Sequence, residues 1–208
     1  MKIGSPKTKN RAAKNGFTLI ELMVSLAIFA FMTAFLLAKY GTFNQSTLVT
    51  NLAYDAALTI RSAQSYGLNV LGTVSNSSTC TGQTGYSAGN PCFYYPYGVY
   101  FALSTPNQFI LFADIDGTGK YDSGTSGELI STYNMNHGYT IKSICAGTLT
   151  SCTPLSSSLN ITFKRPNPDA IIIGDGGSAV SYAKITFVAN NTTSSVVVQS
   201  TGEISVGN

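Results

Sequence analysis

Residues 16–38 read GFTLIELMVSLAIFAFMTAFLLA, an apolar run interrupted by one carboxylate, Glu21. The 22 residues from Phe17 to Ala38 rise about 33 Å as a helix, at about 1.5 Å per residue, and so cross a bilayer core of about 30 Å. The segment reads as a membrane helix with a charge in a costly place. An acidic side chain at the centre of such a helix costs about 2.5–3.5 kcal/mol, and intramembrane ionisable groups usually have a partner. The sequence therefore predicts a partner for Glu21. The plainer alternative is a carboxylate in the first helical turn, held by the helix dipole and reaching back to the interface.

The residues ahead of this run include Lys2, Lys7, Lys9, Arg11 and Lys14 and no acidic group, so the leader is cytoplasmic by the positive-inside rule and the rest of the chain lies outside. Cleavage after the apolar core would need small residues at the usual spacing, and Leu36-Leu37-Ala38 is a poor match. The alternative is cleavage on the cytoplasmic side, between Gly16 and Phe17. It would remove five of the 12 basic residues and none of the nine acidic ones, leaving seven against nine. The basic character of the full chain thus belongs to its leader, and no nucleic-acid partner is inferred from it.

Gly16-Phe17-Thr18-Leu19-Ile20-Glu21, followed by the unbroken apolar helix, resembles the processing motif of type IV prepilins and of the pseudopilins of type II secretion systems. The resemblance implies a membrane prepilin peptidase that cuts after Gly16 and methylates Phe17. It also implies that Glu21 pairs with the terminal amine of a neighbouring subunit. Other pilin or pseudopilin subunits, the filament-assembly machinery and the lipid bilayer are then the expected partners. The expected location is the cell (inner) membrane, crossed once, followed by an extracytoplasmic filament. One departure is that many major pilins carry a proline near the twenty-second mature position, where this chain has Ala38. A rival reading keeps the leader and makes the chain a signal-anchored extracellular binding domain that forms no filament.

Beyond Lys39 the pattern turns amphipathic. Leu48, Leu52, Ala53, Ala56, Ala57, Ile60, Ala63 and Tyr66 recur at spacings of three and four, which predicts that the helix continues to about Gly67. Past that point Ser, Thr, Gly and Tyr alternate with short apolar runs, the pattern of small antiparallel sheets. Candidate strands are 99–103, 109–113, 128–132, 140–145, 158–163, 170–173, 184–189, 194–199 and 203–206. The expected class is α+β, a long N-terminal helix packed on an antiparallel β-sheet head, pilin-like. The divisions are 1–16 leader, 17–38 membrane or filament-core helix, 39–67 amphipathic continuation and 68–208 head.

The four cysteines form two local pairs, Cys80 with Cys92 and Cys145 with Cys152, in the part expected outside, where disulfides persist. Four cysteines allow three pairings, and proximity favours this one. Neither pair has CxxC spacing, and the one histidine, His137, stands apart, which argues against a thiolate or imidazole metal site. Asp114-Ile115-Asp116-Gly117-Thr118-Gly119-Lys120-Tyr121-Asp122 does resemble the first half of an EF-hand loop, with Gly119 at the sixth place. Asp114, Asp116, Thr118 and Asp122 are the candidate ligands for a structural calcium ion. The twelfth position is Thr125, not glutamate, although Glu128 follows three residues later. A hairpin turn rich in Asp and Gly would give the same letters without an ion.

Residues 51–70, the run 109–114 with Gly117, Gly119 and Asp122, and the closing 196–204 resemble the H-type minor pseudopilin branch more loosely. The aromatic stretch 93–100 either stacks on a sugar or base, or covers a sheet edge or core. Sequons such as those at Asn76, Asn160 and Asn191 indicate surface only. No catalytic residue is predicted: GxSxG is absent, His137 has no motif partner, and no paired carboxylates stand in a catalytic context.

Overall fold

The structure is a computed structural model that describes residues 16–69, 95–125, 127–136 and 138–207, with 40–45 described by their backbone alone. The chain divides into two compact units, Met1–Phe43 and Asn44–Asn208. Helix α1, Leu19–Leu68, is 50 residues long and contributes to both.

In the first unit Thr18 caps the helix. Its hydroxyl accepts the Glu21 N–H at 3.3 Å and its carbonyl accepts the Leu22 N–H at 3.1 Å. The span Leu19–Lys39 is long and apolar enough to cross a membrane, and none of it is buried. Its hydroxyls close on the helix itself: Ser25 donates to the Glu21 carbonyl at 2.7 Å and Thr33 to the Phe29 carbonyl at 2.8 Å. Polar groups that would be expensive in hydrocarbon are thereby satisfied within one helix.

In the second unit the helix is amphipathic. Val49, Leu52, Ala53, Ala56, Ala57, Ile60 and Ala63 are buried, while Tyr54 and Leu58 on the opposite side are exposed. The small residues let the helix lie close on the sheets. Its end approaches closely, since a Cβ at Gly67 would collide with the Phe163 carbonyl.

Eleven strands follow among the described residues: β1 Tyr97–Ala102, β2 Gln108–Ala113, β3 Leu129–Asn134, β4 Thr140–Thr148, β5 Ser151–Pro154, β6 Ser158–Phe163, β7 Ala170–Ile173, β8 Ala179–Val180, β9 Tyr182–Ala189, β10 Thr192–Gln199 and β11 Ile204–Gly207. They form a six-stranded sheet in the order β3-β2-β1-β6-β7-β8 and a five-stranded sheet in the order β11-β10-β9-β4-β5. Every pairing is antiparallel. Alternation along β9 buries Ala183, Ile185, Phe187 and Ala189 in a core shared with α1 and the six-stranded sheet. Phe101 of β1 meets Phe187 of β9 edge-on, ring centres 6.5 Å apart, and joins the two sheets. The α+β class is as expected.

Cys145 and Cys152 form a disulfide that ties β5 to β4, with Cα atoms 5.5 Å apart. Cys80 and Cys92 lie outside the described residues, as do His137, Asn76, Phe93 and Tyr94. The described part of the aromatic stretch goes inward: Tyr95 and Tyr97 are buried, and Tyr97 packs edge-on against Tyr66 of α1. Asn160 is buried too, so its sequon offers no surface acceptor, whereas Asn191 sits exposed in the turn between β9 and β10.

Candidate functional site

Two places carry chemistry. The first is the start of the helix. Gly16, Phe17 and Thr18 precede α1 in no regular structure, and a Cβ at Gly16 would meet no atom within 4 Å. Phe17 is 80 % exposed. The Gly16–Phe17 peptide bond is thus unencumbered on the described side, the condition a peptidase needs to draw the backbone into its own site. Glu21 falls in the first helical turn, where a carboxylate complements the positive end of the dipole. The sequence Thr18-Leu19-Ile20-Glu21 is also that of a capping box, of which the Thr18 half is made. A chain beginning at Phe17 would place an ammonium at that same positive end, an unfavourable arrangement unless a carboxylate answers it.

The second place is the loop from Asp114 to Glu128 that joins β2 to β3. It folds back over the six-stranded sheet. The Tyr121 ring packs on Tyr100 at 5.2 Å and on Phe112 at 5.6 Å between centres, and the Tyr121 N–H donates to Asn160 Oδ1 at 2.9 Å. Gly119 has φ +74°, and a Cβ there would press on Ile173 Cδ1 of β7 at 2.9 Å, so this turn requires glycine twice over. Carboxylates organise the loop. Asp114 Oδ2 accepts the Gly119 N–H at 3.0 Å, Asp116 Oδ1 accepts the Thr118 N–H at 3.1 Å and its hydroxyl at 2.8 Å, and Glu128 Oε2 accepts the Asp122 N–H at 2.7 Å.

Asp114, Asp116 and Glu128 converge, each offering an oxygen within 4.8 Å of the others. Asp114 and Glu128 are buried, and Asp116 is exposed. Burial, reinforced by neighbouring carboxylates, pushes the Asp114 carboxyl up to about 6 and that of Glu128 up to about 7. Of the ligands expected from the loop spacing, Asp114 and Asp116 meet. Thr118 is engaged with Asp116, and Asp122 stands outside the group, its Oδ1 accepting the Gly124 N–H at 2.9 Å. Glu128 completes the group because β2 and β3 pair: the Ala113 N–H donates to the Glu128 carbonyl at 2.9 Å, which sets Glu128 beside Asp114.

Sequence reasoning missed Asp175 entirely. Its carboxylate accepts the N–H groups of Ser158, Ser156 and Ser157 and the Ser156 hydroxyl, at 2.5–3.0 Å, and these bonds hold it below the usual carboxylate range.

Fold and first site together define an α+β protein with one helix, among the described residues, that fits a membrane anchor and an open Gly-Phe bond ahead of it. Residues 11–37 match the family model for the prokaryotic N-terminal methylation motif, a stretch that contains Gly16, Phe17 and Glu21. That match supports the type IV pilin and pseudopilin family and processing by a prepilin peptidase. No curated protein and no solved structure matches the chain.

Proposed function

We propose that this chain is a structural subunit, a minor pilin or pseudopilin, of a type IV pilus-like or type II secretion filament. Prepilin peptidase cuts it after Gly16 and methylates Phe17 at the cell (inner) membrane. The assembly machinery then draws it from the bilayer into a filament of other pilin or pseudopilin subunits. The observation that carries this reading is the motif match around a Gly16–Phe17 bond unencumbered among the described residues, set directly before an apolar helix that no other described residue buries. In the bilayer lipid covers that helix; in a filament neighbouring helices do so through close packing. The ammonium of Phe17, repelled by its own helix dipole, meets Glu21 of a neighbour, and the poorly screened pair sets the stagger between subunits. The role requires no catalysis from the chain. Within this class, the looser likeness of 109–114 and 196–204 favours the H-type minor branch.

The test is Glu21→Ala in the native host, with intact mass and N-terminal sequencing of the membrane-bound form. Wild-type chain beginning at methylated Phe17, together with a variant that inserts and is cut but fails to enter filaments, is the expected result. Normal incorporation of Glu21→Ala, or a wild-type chain beginning at Met1, would overturn the reading and leave an anchored binding domain.

A further inference from the structure

We propose that Asp114, Asp116 and Glu128 bind a hard divalent cation, calcium in the first place, which fastens the β2–β3 loop over the six-stranded sheet. Three carboxylates gathered on one loop do not by themselves make a site, and the decisive observation is what happens to their oxygens. Asp114 and Glu128 are 2 % and 0 % exposed. Each directs one oxygen at a loop N–H, Gly119 for Asp114 and Asp122 for Glu128. The remaining oxygens, Asp114 Oδ1 and Glu128 Oε1, are buried without a hydrogen-bond partner. Carboxylate oxygens withdrawn from water and left unanswered are costly, and a third carboxylate beside them raises the cost by like-charge repulsion.

One cation removes both penalties. Oxygens bound to the same calcium at about 2.3–2.6 Å lie within about 5 Å of one another. The three carboxylates meet that condition, with oxygens within 4.8 Å. An all-oxygen donor set suits calcium, magnesium or manganese and disfavours metals that prefer sulfur and imidazole. Calcium tolerates an irregular set of mono- and bidentate carboxylates completed by water, whereas magnesium demands near-ideal octahedral geometry. The first and sixth positions of the loop are already joined, Asp114 to the Gly119 N–H, which closes the turn that carries Asp116 beside Asp114 and Glu128. The glutamate comes from the start of β3, supplied by strand pairing and not by the loop's own spacing. The same loop carries Tyr121 onto Phe112 and Asn160, so the ion holds down a cover over the sheet and has a structural role.

The test uses the mature full chain in detergent, stripped with EDTA, titrated calorimetrically with CaCl2 and separately MgCl2, and melted with tyrosine fluorescence as the probe. One calcium should bind per chain with Kd of about 10⁻⁵–10⁻³ M, more tightly than magnesium, and raise Tm. Glu128→Gln should weaken binding at least about tenfold, or about 1.4 kcal/mol. Because Glu128 is buried, the exposed Asp116→Asn serves as a second variant that leaves the packing in place, and it should weaken binding by a similar factor. Asp175→Asn, on a different loop, should bind calcium as wild type does. Absence of heat and of any Tm change at about 10 mM of either ion would overturn the proposal. Calcium binding undiminished in both variants would overturn it as well, by placing the ion elsewhere.

Discussion

At the scale of single residues, ionisable groups of this chain are pushed in opposite directions for reasons that can be traced. Asp175 is exposed and answered by three backbone N–H groups, so its folded pKa lies below that of the unfolded chain. Its contribution is therefore full above the unfolded value of about 3.9 and is lost as pH falls through the folded one. Asp175→Asn should lower Tm by on the order of 2 °C at pH 7, with the gap from wild type closing in melts taken to progressively lower pH beneath the unfolded value. A gap that persists at low pH would show that shape, not charge, matters there. Tyr133 illustrates the reverse case of a group kept neutral. Burial and its hydrogen bond to Asp55 Oδ2 at 2.8 Å push its hydroxyl up to about 12, and its ring stacks on Phe109 with centres 4.6 Å apart.

At the scale of elements, α1 is held to the head by close approach as much as by apolar area. Gln64 Nε2 donates to the carbonyls of Pro168 at 3.0 Å and Gly202 at 3.2 Å, pinning the helix to two turns. Gly67 brings the last turn against the Phe163 carbonyl of β6. Gly67→Ala should therefore destabilise the fold by about 1–3 kcal/mol despite alanine's better helix propensity, read as a drop in the denaturation midpoint. Unchanged or increased stability would mean that the helix end can shift outward at no cost. The strands show how far local pattern reaches. The alternation of β9 is visible in its letters, and 158–163 and 170–173 coincide with β6 and β7. β5 and β8 have no counterpart among the candidate strands. Ser151–Pro154 has almost no apolar content and exists as a strand because β4 pairs with it and Cys152 is bonded to Cys145. Ala179–Val180 is two residues long and is defined only by its partner β7.

At the scale of the whole molecule, the charge is divided unevenly along the chain. The full sequence carries a formal +3 and a pI of about 8.6, but five of its 12 basic residues lie ahead of Phe17. Processing after Gly16 should move the isoelectric point below neutrality, because seven basic residues then face nine acidic ones. Isoelectric focusing of precursor and mature forms checks this directly, and coincident bands would mean that the leader is retained. The loss of positive charge also removes the feature that anchors the N-terminus on the cytoplasmic side. Among the described residues nothing covers the apolar side chains of Leu19–Lys39, a stretch long and apolar enough to cross a membrane.

The processing motif, the apolar helix and its amphipathic continuation were determined by the sequence alone, because each is contiguous and its physics is local: length against bilayer thickness, a charge in an apolar run, a repeat of 3.6 residues. The Asp and Gly letters of the β2–β3 loop were equally plain, and they already suggested oxygen ligands. Which carboxylates meet was decided only in three dimensions. Glu128 reaches Asp114 through the pairing of β2 with β3, Asp122 turns away to cap Gly124, and Asp175 closes on three serines 17 to 19 residues distant. Spacing along the chain carries no record of such meetings, since they depend on where the twist of the sheets brings strand ends together and on which oxygens the backbone N–H groups leave unanswered.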